Sequence, residues 1–463
     1  WLDFHFDLHG AFLTADIDTD VYTYQPNIPG HEEERGPQGE RMVWKLDKAI
    51  YGTVQAARLF SEKLRNALLA IGFTISIDDE NVYRLDHKLG RVMLCTHIDD
   101  GIGGASTQAV LDYFLAELVK HDFSFSAAPG PWRTILGFGV KRDKATRTVK
   151  ITAKKHIDQL VRDHLSTETV RVRVPTPDAD DIMKLEPPYL ETPEQEAALE
   201  PMRKLARSLK GGLIYIVQAH PGIAHAVSRV CAFMAKPTED SYSAAKRILA
   251  WLRDRSDLGV TYGRPDLLSL DDLIPTGDDC KPMDGARSHA LSCCVDSDLN
   301  GRTLPTPEEQ AERPADPRAS RSQLGYEFSL GGATFEAVSR RQASVALDTA
   351  AAELFAATTA AAHLINVTGV LRFVTFGVLG SQPVSLWCDN EVCVAVGQGA
   401  ASMKKVAYVA RRVRLLQELE GRVTLLRKVA GTSNPADLLT KHLTKAIFRP
   451  YAARIYGCSV DDL

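Results

Sequence analysis

The sequence predicts a chain of mixed α+β and α/β character, organised around two separate groups of acidic residues. Three observations predict this. Residues 91–104 (RVMLCTHIDDGIGG) climb through an apolar run to two adjacent carboxylates, Asp99 and Asp100, and return through glycines, as a β-hairpin does. Residues 1–120 alternate short apolar strands with helical periodicity, the pattern of an α+β layer. From residue 291 onward, three strands, a helix carrying Glu353, a strand running into Asp389 and a late Asp437 follow in order.

The elements follow in chain order. Within residues 1–28 a first short apolar-aromatic strand ends at Asp7. A second short segment ends at Val21-Tyr22-Thr23-Tyr24-Gln25-Pro26, before a loop rich in Gly, Pro and Glu. Leu59, Phe60, Leu64, Leu68, Leu69 and Ile71 fall at helical spacing and end at Gly72, as an amphipathic helix does. Residues 81–85 are a strand into the hairpin, and 108–118 a second helix. Residues 135–142 and 148–152 pair as two strands, followed by a helix over 154–164. Residues 174–200 are expected to be an exposed loop or linker. Residues 205–218 and 244–252 are helical, and 264–290 form a further linker.

Asp99 and Asp100 repel one another unless a cation lies between them, and Mg²⁺ is the hard ion such oxygens suit. An ordinary acidic turn is the other reading, since Asp is a common turn residue. The expected turn lies in the glycine stretch after Asp100.

With 463 residues, 44% hydrophobic and 25% charged, the chain can bury a sizeable core in several domains. No apolar run approaches the roughly 18–20 residues that cross a bilayer, so no membrane partner is expected. Trp1 at the first position suggests a piece of a longer chain. The eight cysteines lack Cys-x-x-Cys spacing, so reduced, mostly buried thiols in an intracellular compartment are expected. A net charge of −4 gives no overall sign of phosphate binding, but basic clusters lie at 141–156, 203–210 and 404–428. Acidic loops at 31–34, 178–198 and 307–316 cancel them. Lys150, Lys154 and Lys155 are candidate phosphate contacts, with plain surface lysines as the alternative.

Residues 6–13 (FDLHGAFL), the Asp99-Asp100 hairpin and residues 43–60 (VWKLDKAIYGTVQAARLF) together resemble the reverse transcriptase of copia-type LTR retrotransposon Pol polyproteins. The long string around Tyr51-Gly52 is the most specific match. The resemblance implies a palm-like domain over 1–128 with truncated fingers, and a thumb or connection region over 129–263. It also implies a ribonuclease H-like domain over 291–447 and a C-terminal tail over 448–463. Asp7 and Asp99, with Asp100 beside them, would hold Mg²⁺ (two ions per site, Mn²⁺ possible). Phe12 would sit under the incoming sugar and disfavour a 2′-hydroxyl. Tyr51, Gly52 and Gln55 would line the nucleotide, and Arg58, Lys150 and Lys154 would contact nucleic acid.

In the second centre, the resemblance is carried by Asp296 in Val-Asp-Ser-Asp, Glu353 in Ala-Glu-Leu-Phe-Ala, Asp389 in Cys-Asp-Asn and Asp437 in Asn-Pro-Ala-Asp-Leu-Leu-Thr-Lys. Asp298 is the runner-up for the first position. The implied partners are RNA template, DNA primer, RNA–DNA hybrid, deoxynucleoside triphosphates and other Pol segments. The sequence departs from the family at His97 (Tyr), Ala57 (Pro), His220-Pro221-Gly222 (Arg-Pro-Asp), and Lys405 and Arg411 (two histidines). These changes and the absent upstream fingers leave a second expectation, a nuclease-only or inactive nucleic-acid-binding remnant.

Overall fold

The computed structural model describes residues 1–25, 34–165, 174, 176–178, 192–263, 291–299 and 321–463. The linker expected over 264–290, the acidic loop over 307–316 and most of the two other acidic loops lie outside the described residues. The chain divides into two compact units, Trp1–Trp132 with Gly369–Phe376, and Arg133–Thr368 with Gly377–Leu463.

The first unit is built on a five-stranded antiparallel sheet. Its strands are β1 (Leu2–Asp7), β4 (Thr74–Ile75), β5 (Val82–His87), β6 (Gly90–His97) and β7 (Asp100–Ala105), in the order β1-β7-β6-β5-β4. A separate ribbon pairs β2 (Tyr22–Tyr24) with β3 (Val43–Lys45). Strand β1 alternates, as a half-buried strand must. Phe4 and Phe6 are buried with Phe114, while Asp3, His5 and Asp7 take the opposite face. Helix α1 (Ala56–Ile71) buries Phe60, Leu64, Leu68 and Ile71, and stops at Gly72, whose φ of 107° suits a residue without a side chain. Helix α2 (Gln108–Lys120) starts where the Thr107 hydroxyl accepts from the Val110 N–H at 3.2 Å.

The glycines after Asp100 lie in a strand, not in the turn. Phe6 stands opposite Gly101 and Phe4 opposite Gly103. A Cβ on Gly101 would lie 2.1 Å from the Phe6 ring, and one on Gly103 would lie 2.1 Å from the Met93 carbonyl oxygen. The turn itself is Ile98-Asp99, with Ile98 at φ 54°. The first unit also runs past the expected edge at 128. The Trp132 indole N–H donates to the Phe4 and Gly103 carbonyls, both at 3.0 Å, which ties the segment to β1 and β7.

The second unit holds two sheets. The first has β8 (Thr134–Ile135), β9 (Phe138–Asp143), β10 (Thr148–Thr152) and β11 (Gly259–Tyr262), in the order β11-β10-β9-β8, all antiparallel. It packs with α3 (Lys154–His164), α4 (Glu200–Ile216), α5 (Ala224–Cys231) and α6 (Glu239–Arg253) around Ile157, Leu213, Ile248 and Trp251. Gly212 lets α4 approach Leu160, where a Cβ would lie 2.7 Å from both Leu160 methyls. The expected loop over 174–200 carries a capped helical turn, Pro193–Ala198, within its described part.

The second sheet has β12 (Ser292–Asp298), β13 (Gln323–Leu330), β14 (Ala333–Arg341), β15 (Val384–Cys388) and β16 (Thr424–Lys428), in the order β14-β13-β12-β15-β16. The first three are antiparallel, while β15 joins β12 and β16 joins β15 in parallel. Helix α7 (Thr349–Val374) is the expected helix that carries Glu353. It is also long and apolar enough to cross a membrane by length and composition alone, which corrects the expectation that no such run exists. Its Ala351, Leu354, Ala357, Ala361 and Leu364 are fully buried against this sheet's core. Helices α8 (Glu391–Gly397) and α9 (Ala410–Leu419) complete this part.

Residues 448–463 are not a tail. Helix α10 (Lys445–Tyr456) buries Phe448, Ala452, Ile455 and Tyr456 in the core of the first sheet and its helices. Leu438, Leu439 and Ala333 join that core, so residues 133–263 and the last part of the chain share one interior.

Candidate acidic centres

In the first unit the β-ladder sets Asp7 directly opposite Asp100. The Leu8 N–H donates to the Asp99 carbonyl at 2.9 Å, which closes the hairpin tip onto the end of β1. Burial raises the Asp99 carboxyl above the usual carboxylate range, and repulsion from Asp7 and Asp100 adds to it. His5, two residues before Asp7 and so on the same face, bonds Asp100 Oδ1 at 3.3 Å. The signal for His5 in the sequence is its spacing of two from Asp7, which puts both on one strand face.

Phe12 lies in the 3₁₀ turn Ala11–Thr14 and is buried, its ring edge-on to Tyr51 at 4.6 Å. Tyr51 is mostly exposed. Gly52 turns with φ 94° and open space where a side chain would be. The Gln55 amide donates to the Thr19 hydroxyl at 3.2 Å. Arg58 is held by Asp18 and Glu62, so its charge is already answered within the protein.

In the second unit the sheet order brings distant acids together. Asp296 lies near the end of β12, Asp389 follows β15, and the two strands are parallel neighbours. Asp437 sits in the 3₁₀ turn Pro435–Leu439, whose Asn434 cap donates to the Val295 carbonyl at 2.8 Å. Carboxylate oxygens of Asp296, Asp389 and Asp437 all lie within 4.8 Å of one another, and Glu353, Cys388 and Asp389 form a second such group. Glu353 reaches the centre from the second turn of α7. Its Oε1 accepts from the Ser297 N–H at 3.1 Å, and the Cys388 thiol donates to its Oε2 at 3.7 Å.

Four carboxylates so close cannot all be ionised without added positive charge. Burial raises Glu353 well above the carboxylate range, with Cys388, Asp296 and Asp389 adding. Asp389 is raised by burial and Asp296, against the pull of Lys441 and Lys428. Asp437 is pushed up to about 7 by burial and Asp296, which together outweigh its contact with Lys441. Asp298 is raised by burial, but it belongs to neither close group. The donor set fits a hard divalent ion: oxygens within 4.8 Å are a span that metal–oxygen bonds of about 2.0–2.6 Å can bridge.

Three residues here escaped the sequence reading. Lys441 bonds Asp437 Oδ1 at 2.8 Å and lies 3.3 Å from the Asp296 carboxylate. The Thr440 hydroxyl donates to Asp296. Gly325, opposite Asp296 on β13, leaves the space these neighbours need. The spacing of Asp437 and Lys441, four apart, was the available signal for the first.

The basic candidates are dispersed. Lys150 pairs between Lys141 and Thr261 in its sheet. Lys154 is tied to Asp257 at 3.1 Å and Ser256 at 3.2 Å. Positive charge gathers instead around a cavity of about 710 Å³ in the second unit, lined by Arg321, Arg340, Arg341, Arg411 and Arg412 beside Phe355. Arg412 stacks over the Phe355 ring at 4.4 Å.

Residues 1–178 match the family described as reverse transcriptase (RNA-dependent DNA polymerase). Over 456 residues, 97% of this chain, the sequence is 25% identical to the retrovirus-related Pol polyprotein from transposon RE1 of Arabidopsis thaliana. Over 439 residues, 94% of the chain, it is 25% identical to that from transposon TNT 1-94 of Nicotiana tabacum. It is also 24% identical over 267 residues to a putative transposon Ty5-1 protein of Saccharomyces cerevisiae. The chain spans 27% and 29% of the lengths of the two Pol polyproteins.

Proposed function

Because this chain is related to copia-type retrotransposon Pol polyproteins and carries a reverse transcriptase domain, we propose that it is a polymerase–nuclease segment acting on RNA and DNA. In this reading the first unit copies an RNA template from a DNA primer, using deoxynucleoside triphosphates. The second unit, read as a ribonuclease H-like domain, cuts the RNA of the hybrid. The observation that carries the reading is the meeting of Asp296, Asp389 and Asp437, residues far apart in sequence, within 4.8 Å. Surface acids have no reason to be gathered and buried in this way.

Asp296, Glu353, Asp389 and Asp437 would hold Mg²⁺ or Mn²⁺ in the nuclease centre, and Asp7 and Asp99, with Asp100 beside them, in the polymerase centre. Two such ions supply an activated oxygen nucleophile and stabilise the leaving oxygen. The residues themselves orient that chemistry. Ser297 and Cys388 fix Glu353, and Phe12, braced by Tyr51, presents the ring expected to sit under the sugar. The arginine-lined cavity suits the phosphate backbone of a nucleic-acid strand better than Lys150 or Lys154 does.

A nuclease without polymerase activity is the second reading. It is favoured by one contrast: among the described residues, three or more clustered ligand groups occur in the second unit and not in the first. Two assays on the purified chain decide. Mg²⁺-dependent cleavage of an RNA–DNA hybrid should be lost in Asp389→Asn while hybrid binding stays, and primer extension should be lost in Asp99→Asn. Cleavage without extension leaves the nuclease alone. Neither activity, or cleavage indifferent to Asp389→Asn, rejects the proposal.

A further inference from the structure

Among the described residues one ammonium, that of Lys441, is ion-paired with carboxylates of the second centre, and its position is not symmetrical. We propose that Lys441 is the resident counter-cation of the Asp296–Asp437 side, so that the chain takes one divalent ion on the Glu353–Asp389 side and admits a second only when the ammonium is displaced. This rests on reading the centre as a metal-dependent nuclease site.

The two sides differ in what answers their charge. Lys441 Nζ lies 2.8 Å from Asp437 and 3.3 Å from Asp296, and Thr440 donates to Asp296 as well. Glu353 receives only a backbone N–H and a thiol. Among the described residues no Lys or Arg pairs with the carboxylate of Glu353 or Asp389, since Lys428 bonds the Asp389 backbone carbonyl instead.

The ammonium is also held by its main chain. The Lys441 N–H donates to the Asp437 carbonyl at 2.9 Å. Asn434, at the start of that turn, joins the Ala436 N–H at 3.2 Å to the Val295 carbonyl at 2.8 Å, next to Asp296. The side chain is nonetheless 37% exposed, so its flexible four-carbon stem has somewhere to go.

Charge balance gives the same order of filling. Four ionised carboxylates with Lys441 in place leave three negative charges; Lys428, held at the Asp389 backbone, offsets part of these, and one divalent ion nearly cancels the rest. A second ion would then overcharge the centre, whereas two ions balance the four carboxylates once the ammonium has left. Lysine and the second ion therefore compete for the same oxygens.

The test titrates the full chain with Mn²⁺, counting bound ions by electron paramagnetic resonance and calorimetry. Ions belonging to this centre are those lost in Asp389→Asn. The expected count is one for the unmutated chain and two for Lys441→Gln, with the second ion bound at least about tenfold more tightly than in the unmutated chain, as loss of a neighbouring like charge requires. Lys441→Arg should keep the count at one. Lys441→Met, which keeps the packing of the stem, replaces Lys441→Gln should that variant lose its thermal transition. Two ions in the unmutated chain, or a Lys441→Gln count and affinity unchanged from it, overturn the proposal while leaving the nuclease reading intact. Asp389→Asn that removes no Mn²⁺ overturns both.

Discussion

Gly325 stands directly across the ladder from Asp296, and a Cβ in its place would lie 2.6 Å from Leu439 Cβ and 2.8 Å from Thr440 Cγ2. The missing side chain is what lets the 435–441 segment close on the acid. Gly325→Ala should push Leu439 and Thr440 outward, and with them the Thr440 and Lys441 contacts to Asp296. The expected cost is about 1–3 kcal/mol, as for overpacking a tight core, with hybrid cleavage falling more steeply than stability. Thermal unfolding and cleavage rates on the same preparation check this. A variant matching the parent in both would show that the gap is not needed.

The hairpin glycines make a paired prediction. The three atoms nearest a Cβ on Gly101 all belong to the Phe6 ring, whereas those nearest one on Gly103 include the Met93 backbone oxygen as well as Phe4. Gly101→Ala and Gly103→Ala should each destabilise the first unit by about 1–3 kcal/mol. Adding Phe6→Leu should recover part of the Gly101→Ala loss. Adding Phe4→Leu should not recover Gly103→Ala, because a backbone carbonyl cannot be trimmed. Denaturant midpoints of the four variants test the contrast, and equal rescue in both pairs would refute it.

Much of this architecture could be read in the sequence, for local reasons. Apolar spacing marked α1, and alternation marked β1, because both elements bury one face only. The acids of the second centre could be ordered along the chain through the motifs that carry the family resemblance, with Asp296 near the end of a strand and Glu353 within a helix. What could not be read was set by distant contacts. The glycines of β7 looked like turn residues because the rings that need their space come from β1, some 95 residues earlier. Residues 448–463 looked like a tail because the partners of α10 lie far upstream: Phe448 packs edge-on to Trp251 and Tyr456 edge-on to His220. His220-Pro221-Gly222 looked like decay of a family motif. In the structure, Gly222 makes room for Tyr456, whose ring carbon would lie 2.9 Å from a Cβ there. Lys441 closes the Asn-Pro-Ala-Asp-Leu-Leu-Thr-Lys string in the sequence, but only the fold shows that it faces two acids.

Metal binding to the second centre should release protons near neutral pH. Asp437, held up to about 7 by burial and Asp296, is partly protonated there, and a divalent ion bound on the neighbouring Glu353–Asp389 side favours its ionised form. Apparent Mn²⁺ affinity should therefore rise from pH 6 to pH 8 and flatten above. Calorimetry in buffers of different ionisation enthalpy measures the protons released. Asp437→Asn should reduce that release, and an unchanged value would assign the proton to another group.

Acid should weaken the second unit through His220. The residue is fully buried beside Tyr456, with ring centroids 5.7 Å apart, and among the described residues neither ring nitrogen has a hydrogen-bond partner. Burial, with Lys150 adding, holds its pKa down to about 3, against about 6.5 in an unfolded chain. The sign follows from proton counting: between those values the unfolded state binds the extra proton, so stability is full above pH 6.5 and is lost as pH falls toward 3. At about 1.4 kcal/mol per pH unit, the loss from this one group reaches about 2–3 kcal/mol by pH 4.5. His220→Phe keeps a ring of similar shape and removes the titration. Urea unfolding at pH 7 and pH 4.5 should show a smaller acid penalty in the variant than in the parent, since the other titrating groups are common to both. The same penalty in the two proteins would mean that His220 finds a proton-tolerant partner once the pH drops.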